Sequence, residues 1–155
     1  MLEYTDEWLC CQIVDATQDA IIFSDESGLI GLWNSGAESI FGYSSEEAIG
    51  QSLDIIIPEK LRARHWEGYR KVMASGSTRY GRELLAVPAM RKDGTRISIE
   101  FSIVLVRSPS GRTLGSAAII RDVTAKRLKE KELRERLAAL EKKELECKTD
   151  KDFQG

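Results

Sequence analysis

The most regular pattern in the chain lies at residues 97–105. Ile97, Ile99, Phe101, Ile103 and Leu105 fall on one side of an extended strand, and Ser98, Glu100 and Ser102 on the other. Such a strand needs a cover on one face only and tolerates water on the other, which is the habit of antiparallel sheets. Neighbouring segments follow the same logic. Residues 20–23 and 29–33 are short apolar runs separated by Asp25, Glu26, Ser27 and Gly28, turn chemistry that pairs them as an antiparallel hairpin. Residues 84–90 read as a strand that Pro88 confines to an edge or a bulge, and Lys92, Asp93 and Gly94 then turn the chain. Ser108, Pro109, Ser110 and Gly111 supply the next loop. The last strand spans residues 114–120, where Gly115, Ser116, Ala117 and Ala118 leave space above the sheet.

Helical spacing governs the rest. Residues 7–16 carry Trp8, Leu9, Ile13 and Val14 as a short amphipathic helix, with Thr5 and Asp6 as candidate caps. Asn34 can cap a brief helix over residues 37–41, and Ser44 followed by Glu47 is a capping box for another. Residues 57–73 contain the single histidine. Leu61, His65, Gly68 and Val72 form one stripe, expected to be buried, beside a second stripe of Arg62, Trp66, Tyr69 and Met73. Pro58 suits the first turn. Glycine inside a helix costs about 1 kcal/mol relative to alanine, so Gly68 calls for a reason: room for a flat group, or close helix-to-strand packing.

Beyond Thr124 the composition shifts to Lys, Glu, Arg and Leu through Lys148, a helix by propensity. Leu133, Leu137 and Leu140 keep coiled-coil spacing, and Glu144 interrupts the seam. A solvated helix packed on its own domain and a dimer-forming helix both fit. The division expected is a cap helix over residues 1–17, a sensor domain over 18–124, a signalling and dimerisation helix over 125–148 and a disordered tail over 149–155. Strand runs flanking a helical middle make the class α+β.

Composition excludes several functions. A net charge of −2 with interspersed signs gives no clustered basic surface for nucleic acid. No apolar run approaches the roughly 20 residues of a membrane span. Cys10, Cys11 and Cys147 are an odd set without disulfide or zinc spacing, read as reduced thiols of a cytoplasmic protein. No phosphate-cradling glycine loop, metal cluster or nucleophile with a base at motif spacing is present, so catalysis is not expected.

Five motifs in order carry a family likeness: Trp33-Asn34, Phe41-Gly42-Tyr43-Ser44, Glu46-Glu47-Ala48-Ile49-Gly50, Arg91-Lys92-Asp93-Gly94 and Arg121-Asp122-Val123-Thr124. Residues 20–124 resemble a PAS domain. The resemblance implies a five-stranded antiparallel sheet with helices on one face, a pocket between them, and a terminal helix that passes a signal outward, often between paired protomers. It also implies a homodimer through the N- and C-terminal helices and a downstream kinase, cyclase or regulator. Residues 58–65 are similar to the matching stretch of FixL-type oxygen sensors, whose histidine ligates haem iron. That likeness makes His65 the axial ligand of a b-type haem and the metal-holding residue. Gly68, Tyr69, Val72, Leu85, Ile99, Phe101, Ile103, Ala118 and Ile119 would surround the ring, and Arg62, Arg64, Lys71 or Arg79 would meet its propionates. The distal arginine of those sensors has no counterpart: its position falls near Leu85, and the closest arginine is Arg82. Another haem-PAS group uses a tryptophan on the last strand, which this chain lacks. Flavin-linked PAS photosensors carry a cysteine just after the Glu-Glu-x-x-Gly run, where this chain has Gln51, Ser52 and Leu53. The competing expectation is a PAS interaction module without a ligand, or with another small apolar one.

Overall fold

In a computed structural model describing residues 3–78 and 84–152, the alternating segment is the longest strand of a five-stranded antiparallel sheet. Strands β1 (Ala20–Asp25), β2 (Ile30–Trp33), β3 (Leu85–Met90), β4 (Arg96–Arg107) and β5 (Thr113–Asp122) lie in the order β2-β1-β5-β4-β3. Helices α1 (Asp6–Ala16), α2 (Ser35–Phe41), α3 (Ser45–Ala48) and α4 (Glu59–Ser75), with a 3-10 turn over Leu53–Ile55, occupy the intervals. Met1–Asp122 form one compact unit, and Val123–Gly155, built on helix α5 (Thr124–Asp152), form a second. The α+β expectation and the strand pairing both hold.

Side-chain alternation sorts the two faces of the sheet. Phe101 pairs with Ile120 and Leu85, Ile103 with Ala118, and Ile22 with Ala118 from the other side, so these residues share the inner face. Their neighbours Val104 and Ile119 point outward and are exposed. Ala20, Ile22, Ile30, Trp33, Phe41, Ile97, Ile99 and Ile120 form the packed core between sheet and helices. Pro88 stands on the edge strand β3, where its missing N–H costs no ladder bond to a further strand.

Local signals set the helix boundaries. Thr5 Oγ1 accepts from Trp8 N at the start of α1, and Ser44 with Glu47 closes a reciprocal capping box on α3. Pro58 sits at the N-cap of α4 rather than inside it, and Gly76 ends the helix in the left-handed conformation (φ +62°). At the far end the structure differs from expectation. Residues 149–152 continue α5 instead of fraying, and Thr149 Oγ1 donates back to the carbonyls of Leu145 and Glu146. Residues 153–155 of the expected tail lie outside the described residues.

One buried amide organises the N-terminal half. Asn34 Oδ1 accepts from Ile21 N (2.8 Å) and Ala37 N (3.0 Å), while Nδ2 donates to the carbonyls of Val14 (2.8 Å) and Asp19 (3.0 Å). It therefore caps α2, holds β1 and ties down α1 at once. Removing it leaves buried donors and acceptors unpaired, each costing about 1–3 kcal/mol. Asn34→Ala should lower the unfolding free energy by about 3 kcal/mol, seen as a reduced urea midpoint at unchanged slope. A loss below about 1 kcal/mol would show that these groups find other partners.

Candidate functional site

Helix α4 covers the sheet differently from α2 and α3. The shorter helices bring their backbones close against β1 and β2, whereas the α4 backbone is held away from the strands along nearly all its length. Long side chains make the connection. Tyr69 Oη bonds the Ser24 hydroxyl (2.9 Å) and the carbonyls of Ser24 (3.2 Å) and Asp25 (2.6 Å) at the end of β1. The Trp66 ring lies over Gly28 so tightly that a Cβ there would overlap it, and Trp66 Nε1 donates to Asp54 Oδ1 at 2.8 Å. At the helix end, Arg107 donates to the Gly76 carbonyl. Tyr69 and Trp66 are thus the two struts that fix α4.

His65 lies against both struts. Its ring meets Trp66 edge-on at 4.8 Å between centroids and lies tilted against Tyr69 at 5.8 Å. Nδ1 is buried and has no hydrogen-bond partner among the described residues. Burial lowers the histidine pKa below its ordinary value, with the Asp54 carboxylate opposing weakly, so the ring is held neutral. Burial likewise raises the pKa of the Tyr69 hydroxyl, keeping it a donor. A neutral imidazole with an unclaimed nitrogen is a competent metal ligand. Among the described residues no three His, Cys, Asp or Glu side chains converge on a metal site, so any metal held here relies on this one nitrogen.

The inner sheet face is filled unevenly. Ile97, Ile99 and Ile120 are buried, but Leu85, Phe101, Ile103, Leu105 and Ala118 are only half-buried, and α4 itself has no buried residue. The apolar inner face is thus only half covered at these positions. Leu85, Ile99, Phe101, Ile103 and Ala118 share this face, with Ile99 at its packed end. His65, Tyr69 and Val72 are half-buried along α4. Sequence reasoning missed Asp54, which receives Trp66 from outside any motif, and overlooked Leu105, whose alternation already placed it on this face.

Other expected residues are placed elsewhere. Ile119 is on the outer face, 40 % exposed, because adjacent strand residues point to opposite sides and Ala118 points inward. Gly68 is exposed, and a Cβ there would meet nothing within 4 Å. The covered face of α4 is centred on Tyr69, which turns Gly68 to the rim, so this glycine neither clears room for a ring nor allows close packing. Trp66 anchors the β1–β2 turn. Arg62 donates to the carbonyls of Ile57 and Asp54, Lys71 pairs with Glu67 on the exposed side, and Arg64 is exposed. Arg79 and Arg82 lie outside the described residues.

A model described as the PAS fold matches residues 11–123. The chain belongs to the PAS family. Curated relatives include sensor protein FixL of Bradyrhizobium diazoefficiens, 35% identical over 115 residues, covering 72% of this chain and 22% of FixL. The oxygen sensor protein DosP of Escherichia coli is 28% identical over 120 residues, covering 77% of this chain and 15% of DosP. The chain therefore matches less than a quarter of the length of either relative. Among solved structures, the PAS domain of a Colwellia psychrerythraea protein superposes with a TM-score of 0.69 at 26% identity, covering 78% of this chain and 99% of that one. An RNA-binding light-oxygen-voltage receptor reaches the same TM-score of 0.69 at 21% identity, over 89% of this chain and 39% of the receptor, which shows shared fold alone. Among the described residues no helix is long and apolar enough to cross a membrane.

His65 is the single histidine, so its titration can be read directly. In cofactor-free protein its midpoint should fall below the ordinary 6.5. A depressed folded pKa means that the unfolded chain takes up the proton first. The stability contributed by the neutral ring is therefore present above about pH 6.5 and is lost as the pH falls through that value toward the folded pKa. A proton NMR titration of the ring checks this, and a midpoint at or above 6.5 would contradict the burial.

Proposed function

We propose that this PAS domain is a sensor that holds b-type haem through His65 and reports a diatomic gas, O2, CO or NO. One observation carries this: a buried imidazole nitrogen without a partner, on a helix held off a half-covered apolar sheet face. The names of the relatives, a sensor and an oxygen sensor, support the sensory role. His65 would hold the iron, Tyr69 and Val72 would flank it on α4, and Leu85, Ile99, Phe101, Ile103 and Ala118 would form the opposite wall. When bound, the iron supplies an open axial position for the gas. The chain keeps the imidazole neutral by burial, excludes water with apolar side chains, and ties the helix carrying His65 to β1 through Tyr69. Within the division proposed here, residues 18–124 sense, residues 1–17 and 125–148 pair two copies in the cytoplasm, and the output reaches a kinase, cyclase or regulator.

Protein purified from haem-replete cells should carry a Soret band that His65→Ala abolishes or shifts. A colourless preparation that takes up no added haem would reject the assignment.

A second function draws on α5 and is compatible with the first. Leu133, Leu137 and Leu140 are 59%, 58% and 60% exposed on their own chain, at the spacing of a helix seam. This supports a PAS interaction module that acts by pairing, with or without a ligand. Sedimentation should find dimers at high micromolar concentration, and replacing the three leucines by serine should shift them to monomers. A strictly monomeric parent would argue against pairing.

A further inference from the structure

A helix that pairs through one stripe can meet its partner running the same way or the opposite way, and the residues around the three leucines of α5 distinguish the two. Every described residue from Ala125 to Thr149 is exposed on its own chain. Steps of four and three from Leu133 pass through Leu137 and Leu140 to Glu144 and then Cys147, and a step of three back reaches Glu130. The seam is therefore glutamate, three leucines, glutamate, cysteine. Leu128 and Leu145 are exposed on other faces of the helix.

Layer matching favours the parallel arrangement. In a parallel pair in register each seam residue meets its own copy, so Leu133, Leu137 and Leu140 stack as three consecutive apolar layers and the glutamates meet only at the two ends. In an antiparallel pair, setting Leu137 against Leu140 puts Leu133 against Glu144, and setting Leu133 against Leu137 puts Leu140 against Glu130. Either way one leucine layer is lost and a carboxylate is pressed onto an apolar side chain. Charge points the same way. Lys129 and Lys143 directly precede the seam glutamates, and in a parallel pair that position packs beside the partner's residue of the same layer, so each glutamate meets a lysine. Antiparallel helices set these flanks against one another, which brings Lys129, Arg136 and Lys143 face to face with their own kind.

We infer that α5 binds a second copy of this chain as a parallel, in-register coiled coil in which Cys147 of each copy faces its counterpart. This rests on the pairing proposed above and adds its direction and register. A slip of one heptad keeps a single leucine layer, Leu133 against Leu140, and sets Leu137 against Glu144, so the two glutamates hold the helices in register. With only three leucine layers the pair is a weak one, suited to forming and parting.

The test uses the full chain carrying Cys10→Ser and Cys11→Ser, both at exposed positions, which leaves Cys147 as its one thiol. Sedimentation at high micromolar concentration should find dimers, and diamide should join the two copies: the reagent takes two electrons and the two thiol protons as a sulfur–sulfur bond forms. A disulfide spans Cα atoms about 4.4–6.8 Å apart, which a shared layer allows. Antiparallel pairing through the leucines would hold the two Cys147 residues roughly 25 Å or more apart along the axis. Replacing Leu133, Leu137 and Leu140 by serine should cut the joined fraction about tenfold, since unpaired ends meet at micromolar rather than millimolar effective concentration. Dimers that diamide does not join would overturn the parallel register and leave pairing itself intact. A strictly monomeric chain would overturn both. Equal joining in the serine variant would mean chance collision and would overturn the inference as well.

Discussion

A sheet with one apolar face must have that face covered, and the helices of this domain cover it unequally. Over β1 and β2 the short helices α2 and α3 press close, and the residues beneath them are sealed. Helix α4 is attached instead through long side chains, by the Tyr69 hydroxyl on β1 and by the Trp66 ring on Gly28. Interiors are normally packed to the density of organic crystals. A face left half-buried at Phe101, Ile103, Leu105 and Ala118 departs from that norm, and on α4 the His65 imidazole has a buried nitrogen with nothing to bond.

The imidazole carries a cost. A buried polar atom without a partner is disfavoured by about 1–3 kcal/mol, and nearby groups that could relieve it are otherwise engaged: Tyr69 with β1, Asp54 with Trp66. Burial also disfavours protonation. The ring is thus kept neutral and unclaimed, which is the state a ligand to iron requires. Family membership alone assigns no ligand, since PAS folds differ in what they hold. The case for haem rests on this ring and on the half-covered face together.

Much of the fold was legible because its signals are local. Alternation over residues 97–105, the Asp25–Gly28 turn, the Asn34 cap, the Ser44 and Glu47 box and Pro88 on an edge strand each depend on neighbours a few residues away. The orientation of α4 was less legible. Its covered face is set by partners 44 and 45 residues distant, Asp25 and Ser24, and no helical period reports them. His65, Trp66 and Tyr69 fall on the covered side as the two stripes imply, and Gly68 alone lies beyond its edge. Ile119 is a different kind of miss: Ala118 and Ile119 are adjacent in a strand and cannot share a face, so strand parity alone already placed one of them outside.

The central claim, that this lone imidazole is free and faces space an iron porphyrin can enter, has a direct test in nitrogen-15 NMR of histidine-labelled protein. With only one histidine, two ring signals report the whole question. Both should shift or broaden beyond detection on addition of one equivalent of haem. A pair of ring signals unmoved by equimolar haem would contradict the account.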